Sequence, residues 1–152
     1  MIFVTVGTHH DPFGRLIDAL AGLPADELVV QHGHSPAPAR AREAVAFLPF
    51  EELVERIRAA DVVITHAGVG SILLALREGR TPLVVPRRRA HGEHVDDHQV
   101  EFTAALADAG KVVPVWDVAR LPELVARAPA AADPRPPVEG ELQRAVRAAL
   151  VA

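Results

Sequence analysis

The stretch DVVITHAGVGSILLALREGRTPLVVP, residues 61–86, decides how this sequence folds. Its apolar run at 61–65 reads as a buried strand, which turns through a histidine, two glycines and a serine and passes at once into helical spacing over 71–79. Gly79 ends the helix, and a second apolar run follows at 82–86. Strand, helix and strand joined this closely are the repeating unit of a parallel sheet.

The same alternation runs through the rest of the chain. Apolar or β-branched runs at 2–6, 27–31, 44–48 and 111–115 are further expected strands, and segments of helical period at 13–23, 51–60, 96–110 and 120–127 further expected helices. In 51–60, Leu53, Ile57 and Ala60 share one face. Strands that are apolar throughout, with no polar face, indicate a sheet covered on both sides. The expected class is therefore α/β, a Rossmann-like parallel sheet with helices on both faces. Residues 1–152 read as one domain: a core over 2–127, a proline-rich linker at 128–137, and a last helix at 138–151 with Leu142, Val146 and Leu150 on one face.

Composition bounds the function. The chain has 152 residues, 24% of them charged, and a net charge of -4, so nucleic acid is not an expected partner. It has no cysteine, hence no disulfide and no thiolate metal site. The N-terminal MIFVTVGTHHDPF lacks the basic start of a signal peptide, and no window approaches the roughly 18 apolar residues of a membrane span.

In an open parallel sheet, ligands sit beyond the carboxyl ends of the strands. The residues with chemistry to offer fall there: GTHHD after the first strand, HGH after the second, PF after the third, THAGVGS after the fourth and PRRRAHGEHVDDHQ after the fifth. Gly68 and Gly70 would let backbone approach a ligand, and Ser71 at a helix start would favour an anion. The spacing is neither the dinucleotide fingerprint nor a P-loop, and a plain turn with Ser71 as cap would also account for it. His98 and Gln99 suit hydroxyl-rich ligands, while Asp96 or Asp97 caps the helix. Glu93, His94, Asp97 and His98 match no helical zinc spacing, so no metal is expected. Arg87, nearest the strand end, suits a phosphate or a sugar carboxylate, against the ordinary reading of a solvated arginine run. His9 and His10 are candidates for proton transfer, against that of surface loop histidines.

Taken together, VTVGTHHDPFGRLI, ADVVITHAGVGSILLALREGRTPLVVPR and GEHVDDHQVEF resemble the C-terminal, nucleotide-sugar-binding domain of GT-B glycosyltransferases of family 28. The resemblance spans residues 2 to about 115 and is closest to single-domain catalytic subunits of two-part enzymes. These include the dolichol-pathway GlcNAc transferase subunits of eukaryotes and bacterial exopolysaccharide subunits, whose pattern is nearer.

The resemblance implies an inverting transfer of a hexosyl residue from a UDP-sugar to a polyprenyl-diphosphate-linked acceptor, with no cofactor and no metal. It places Gly7 and Thr8 near the diphosphate, Pro49 and Phe50 at the uracil, and His66, Ala67, Gly68, Gly70 and Ser71 around the phosphates. Arg87 would stabilise the leaving charge, His98 and Gln99 would read the sugar hydroxyls, and His9 or a partner's residue would be the base. Because the acceptor-binding half is missing, it also implies a membrane-anchored partner subunit and a cytoplasmic chain, peripheral to the inner face of the membrane; a homo-oligomer of the isolated chain is compatible with it. Two positions depart from the family pattern: Leu74 stands where many relatives carry a ribose-binding glutamate, and His10 replaces a glutamate. A non-catalytic regulatory subunit, and a UDP-sugar hydrolase or epimerase using the GEHVDDH carboxylates, are the competing readings.

Overall fold

The computed structural model describes residues 1–130. The expected last helix, most of the linker, and with them Leu142, Val146 and Leu150 lie outside the described residues. Six strands form one sheet: β1 (Ile2–Thr5), β2 (Leu28–Gln31), β3 (Glu43–Val45), β4 (Val62–His66), β5 (Leu83–Val85) and β6 (Val113–Pro114). Every pairing is parallel and the order is β3-β2-β1-β4-β5-β6. That is the Rossmann-like sheet expected from the alternation of runs.

The helices are α1 (Gly14–Ala19), α2 (Phe50–Ala59), α3 (Val69–Arg77), α4 (His98–Asp108) and α5 (Leu121–Ala126). The apolar strands divide their side chains between two cores. Ile2, Val4, Leu28, Val30, Ile64, Leu83 and Val85 meet α1 and α5 through Leu16, Ile17 and Leu121. On the other face, Phe3, Val29 and Val63 meet Ile57 of α2 and Leu74 and Ala75 of α3, while Val84 meets Ile72, Phe102 and Leu106. Alternate residues of one strand are thus buried against different helices, which is why the runs show no polar face.

Several boundaries move from those expected. The first helix shortens to α1 and ends in a 3-10 turn at Leu20–Gly22. The third strand stops at Val45, leaving Ala46, Phe47 and Leu48 as a loop. Helix α3 starts two residues before Ser71, with Gly68 at its N-cap, so Ser71 is its third residue and no cap. Helix α4 starts at His98; Asp97 holds the cap position, but the carboxylate of Asp96 accepts the His98 amide at 2.9 Å while that of Asp97 accepts the Arg89 amide at 3.0 Å. The C-terminal glycines behave as read: behind Gly79, at φ 74°, the Arg80 amide reaches back to Ala75 O at 2.9 Å.

In this order β1 and β4 are neighbours from which the chain leaves in opposite directions across the sheet. A crevice opens there, between the loops that follow the two strands. Phe3, on β1 at the centre of the second core and fully buried, is the side chain on which the α2 and α3 face depends. Phe3→Ala should cost about 3–5 kcal/mol in unfolding free energy, read from the urea midpoint; a cost near that of a surface substitution would show that α2 and α3 do not pack here.

Candidate active site at the carboxyl edge

The crevice holds a cleft of about 450 Å³, lined by Thr5, Gly7, Thr8, His9, Gln31, Phe47, Leu48, Leu53, His66, Gly68, Gly70 and Ser71. Its centre is His66, the last residue of β4. A Cβ on Gly7 would lie 2.3 Å from His66 Nε2, and one on Gly68 would lie 2.4 Å from its Cε1. No side chain fits at those distances, so the two glycines are there because the imidazole lies between them. Gly7 also has φ 74°, which favours glycine for a second reason. Gly70 differs: a Cβ there would meet nothing within 4 Å. Packing gives no reason for a glycine in the first turn of α3, whereas close approach of a ligand does.

Burial of the ring, then the charge of Arg87 and the neighbouring His9 and His94, push the pKa of His66 down to about 3. The ring is neutral at physiological pH. Helix α3 begins beside it, with no acidic residue in its first turn, and its first amides have no partner within the helix. The amide of Ile72 is the first to be bonded, to Gly68 O at 3.1 Å. With the histidines neutral the lining side chains carry no formal charge, so an anion would be met by backbone amides and the helix dipole.

The rest of the cleft is built by the other strand ends. Gln31, buried at the end of β2, accepts from Thr5 Oγ1 and donates to Gly7 O at 3.2 Å and Ala46 O at 2.6 Å. It ties the loops after β1 and β3 together and leaves the wall beside it to Phe47, Leu48 and Leu53. His9 stacks on His10 at 4.8 Å and faces His94 at 5.1 Å, and its Nδ1 accepts from the Asp11 amide at 3.1 Å. The neutral ring therefore carries its proton on Nε2. Burial first and Arg87 second hold its pKa below the ordinary histidine value, partly offset by Asp11.

Among the residues expected at the site, the structure brings Gly7, Thr8, His9, His66, Gly68, Gly70 and Ser71 together in one cleft. Ala67 is buried beneath them in the core with Ile72 and Val84. Pro49 and Phe50 stand outside: because β3 ends early, the loop presents Phe47 and Leu48, while Pro49 caps α2 and Phe50 points to solvent, 67% exposed. Arg87 is also not in the wall. It is fully buried, with Nη1 donating to Asp11 O at 2.8 Å, Nη2 to Val6 O at 3.0 Å, and its guanidinium 4.7 Å from the ring centre of Phe13. Gln99 stands under it, its Oε1 accepting the Arg87 amide at 3.0 Å, and His98 lies 3.8 Å from Glu101 at the outer start of α4. Leu74 packs among Phe3, Ile57 and Val63 and offers the cleft nothing polar.

The carboxylates after β5 are committed elsewhere. Glu93, 3% exposed, takes Arg15 Nε at 3.0 Å, Arg15 Nη2 at 2.9 Å and the Arg88 amide at 3.1 Å. Asp96 and Asp97 each accept a backbone amide, and neither lines the cleft. A wider hollow of about 890 Å³ on the α1 and α5 side is open to solvent, and its one buried carboxylate is this Glu93, already closed by Arg15. Among the described residues no group of three or more His, Cys, Asp or Glu is placed to hold a metal ion, and no helix is long and apolar enough to cross a membrane.

Comparison with known proteins bears on this geometry. A profile of the glycosyltransferase family 28 C-terminal domain matches residues 1–130, the whole of the described fold. The chain belongs to this family. A curated relative, the UDP-N-acetylglucosamine transferase subunit ALG13 of Yarrowia lipolytica, is 39% identical over 56 residues, 37% of this chain and 26% of its own length. The chain thus spans about a quarter of that relative. In this family 28 domain, Thr5, Gln31, Phe47, Leu48 and Leu53 are the lining residues that sequence reasoning missed. The one signal for Gln31 was an amide inside an otherwise apolar run.

Because unfolded His66 takes up a proton near pH 6.5 while the folded ring resists until about 3, stability falls as pH drops through that window. The slope is at most about 1.4 kcal/mol per pH unit. Urea midpoints measured from about pH 7 down to about pH 4 should fall more steeply for the wild type than for His66→Asn; equal slopes would show that His66 is not held neutral.

Proposed function

We propose that the chain is the donor-binding subunit of an inverting glycosyltransferase, which transfers a hexosyl residue from a UDP-sugar to a polyprenyl-diphosphate-linked acceptor in polysaccharide biosynthesis. One observation carries this reading. The N-terminus of α3 opens into an uncharged cleft, with Gly70 giving backbone access that packing does not require. A diphosphate fits that end, and the nucleoside fits the apolar wall of Phe47, Leu48 and Leu53. Family membership and the transferase name of the Yarrowia relative support it.

In the transfer the acceptor hydroxyl attacks the anomeric carbon, the bond from that carbon to the diphosphate oxygen breaks on the opposite face, and UDP departs. The developing charge is met by the α3 amides, already oriented in the folded protein, so no metal is needed. The hydroxyl proton goes to a base, which is His9 or a residue of the partner. His9 lines the cleft in its neutral form, and to accept a proton at Nδ1 it must give up the Asp11 amide. The acceptor comes from a membrane-associated partner subunit on the cytoplasmic side, consistent with the "subunit" in the relative's name.

Calorimetric titration with UDP and a panel of UDP-sugars, in EDTA and in Mg²⁺, tests this. Metal-independent binding that favours one sugar is expected; no binding to any of them under either condition would refute the reading. The glycines provide a second test. Gly70→Ala should leave the fold no less stable but weaken UDP by about tenfold or more, whereas Gly68→Ala, whose Cβ would lie 2.4 Å from the His66 ring, should lose stability as well. Unchanged UDP affinity in Gly70→Ala would place the diphosphate elsewhere.

A further inference from the structure

Two buried side-chain atoms have no hydrogen-bond partner among the described residues: Nδ1 of His66 and Nε of Arg87. They belong to one small region. Val85 is the register partner of His66 on the adjacent strand, and Arg87 follows two residues later. The guanidinium donates to Val6 O, and the next residue, Gly7, is the one whose missing Cβ makes room for the His66 ring. The charge of Arg87 acts on that ring.

The other bonds of Arg87 are accounted for: Nη1 to Asp11 O and, at 3.4 Å, to Glu93 O, and Nη2 to Val6 O. What is left with no partner at all is one buried atom, Nε. On the histidine, Nδ1 is the sealed nitrogen, while Nε2 belongs to the ring edge between Gly7 and Gly68 at the cleft. A neutral imidazole carries one proton and one lone pair. Placed on Nδ1, the proton would add a second orphaned N–H to the interior, in the field of the buried Arg87 cation; the lone pair placed there is also without a partner, but the positive charge favours it over an N–H.

We propose that Arg87 is a positioning residue that sets the tautomer of His66: Nδ1 keeps the lone pair on the buried side, and Nε2 carries the proton towards the cleft. His66 is then a neutral hydrogen-bond donor next to the first amides of α3. Its use as a donor to the diphosphate rests on the function proposed above, whereas the tautomer itself does not. This gives Arg87 a role at the site without contact with the ligand.

The test is the ring-nitrogen spectrum of ¹⁵N-labelled protein near neutral pH, with His66→Asn assigning the signals. Wild-type His66 is expected as the Nε2–H form alone. A wild-type ring in the Nδ1–H form, or exchanging between the two, overturns the proposal, and this arm needs no variant that must fold. Arg87→Met, where it folds, should show a mixture of tautomers and bind UDP about tenfold more weakly; a folded Arg87→Met that keeps the pure Nε2–H form removes Arg87 as the cause. With UDP added to the wild type, the Nε2 signal of His66 should move. If UDP binds and that signal stays, the donor role fails while the proposed function stands; if the tautomer is as expected and UDP does not bind, the proposed function fails instead.

Discussion

The imidazole of His66 lies where two side chains would otherwise be, and the carboxyl edge of the sheet is arranged around that fact. It forces glycine at the start of the first loop and at the cap of α3, two places far apart in sequence that the β1–β4 pairing brings together. A ring so enclosed cannot afford a charge, and burial keeps it neutral. The cleft thereby acquires a floor that is polar but uncharged, and within its lining the electrostatic bias offered directly to a ligand is that of the helix N-terminus.

The glycines of the HAGVG turn therefore divide by purpose. Glycine after a strand is usually explained by a turn or by ligand approach, and the two explanations are hard to separate in a sequence. Here a Cβ at Gly68 would strike the histidine ring, while one at Gly70 would strike nothing. The first glycine belongs to the architecture, and the second is the one that geometry leaves for a ligand.

The fold was legible because parallel strands buried on both faces have to be apolar throughout and the covering helices have to be amphipathic or apolar. The runs at 2–6 and 61–65 carry that signature plainly. Boundaries were less legible wherever a side chain chose among backbone partners, as Asp96 and Asp97 do before α4. At the site, the glycine, histidine and serine of the strand-to-helix turn were readable since their chemistry is local. Phe47 was not, because which aromatic residue faces the cleft depends on β3 ending at Val45, a matter of pairing with β2. Leu74 read as the loss of a polar contact, yet its burial against Phe3 and Ile57 gives it a positive role in the core.

Arg87 shows best why a residue type cannot be converted directly into a role. An arginine at a strand end, among glycines and histidines, has the chemistry of an anion ligand, and its sequence position is right for one. In the folded chain its guanidinium is fully buried, occupied by the carbonyls of the first and fifth loops and by the face of Phe13. A buried cation held by carbonyl dipoles, without a direct carboxylate partner, is costly to keep. Second to burial, it depresses the basicity of both His9 and His66, and the two effects together favour the neutral rings. The consequence for an anionic ligand is indirect but definite: the charge of Arg87 reaches the cleft as a constraint on where the neighbouring rings keep their protons, while the direct contacts with the anion fall to the backbone of α3.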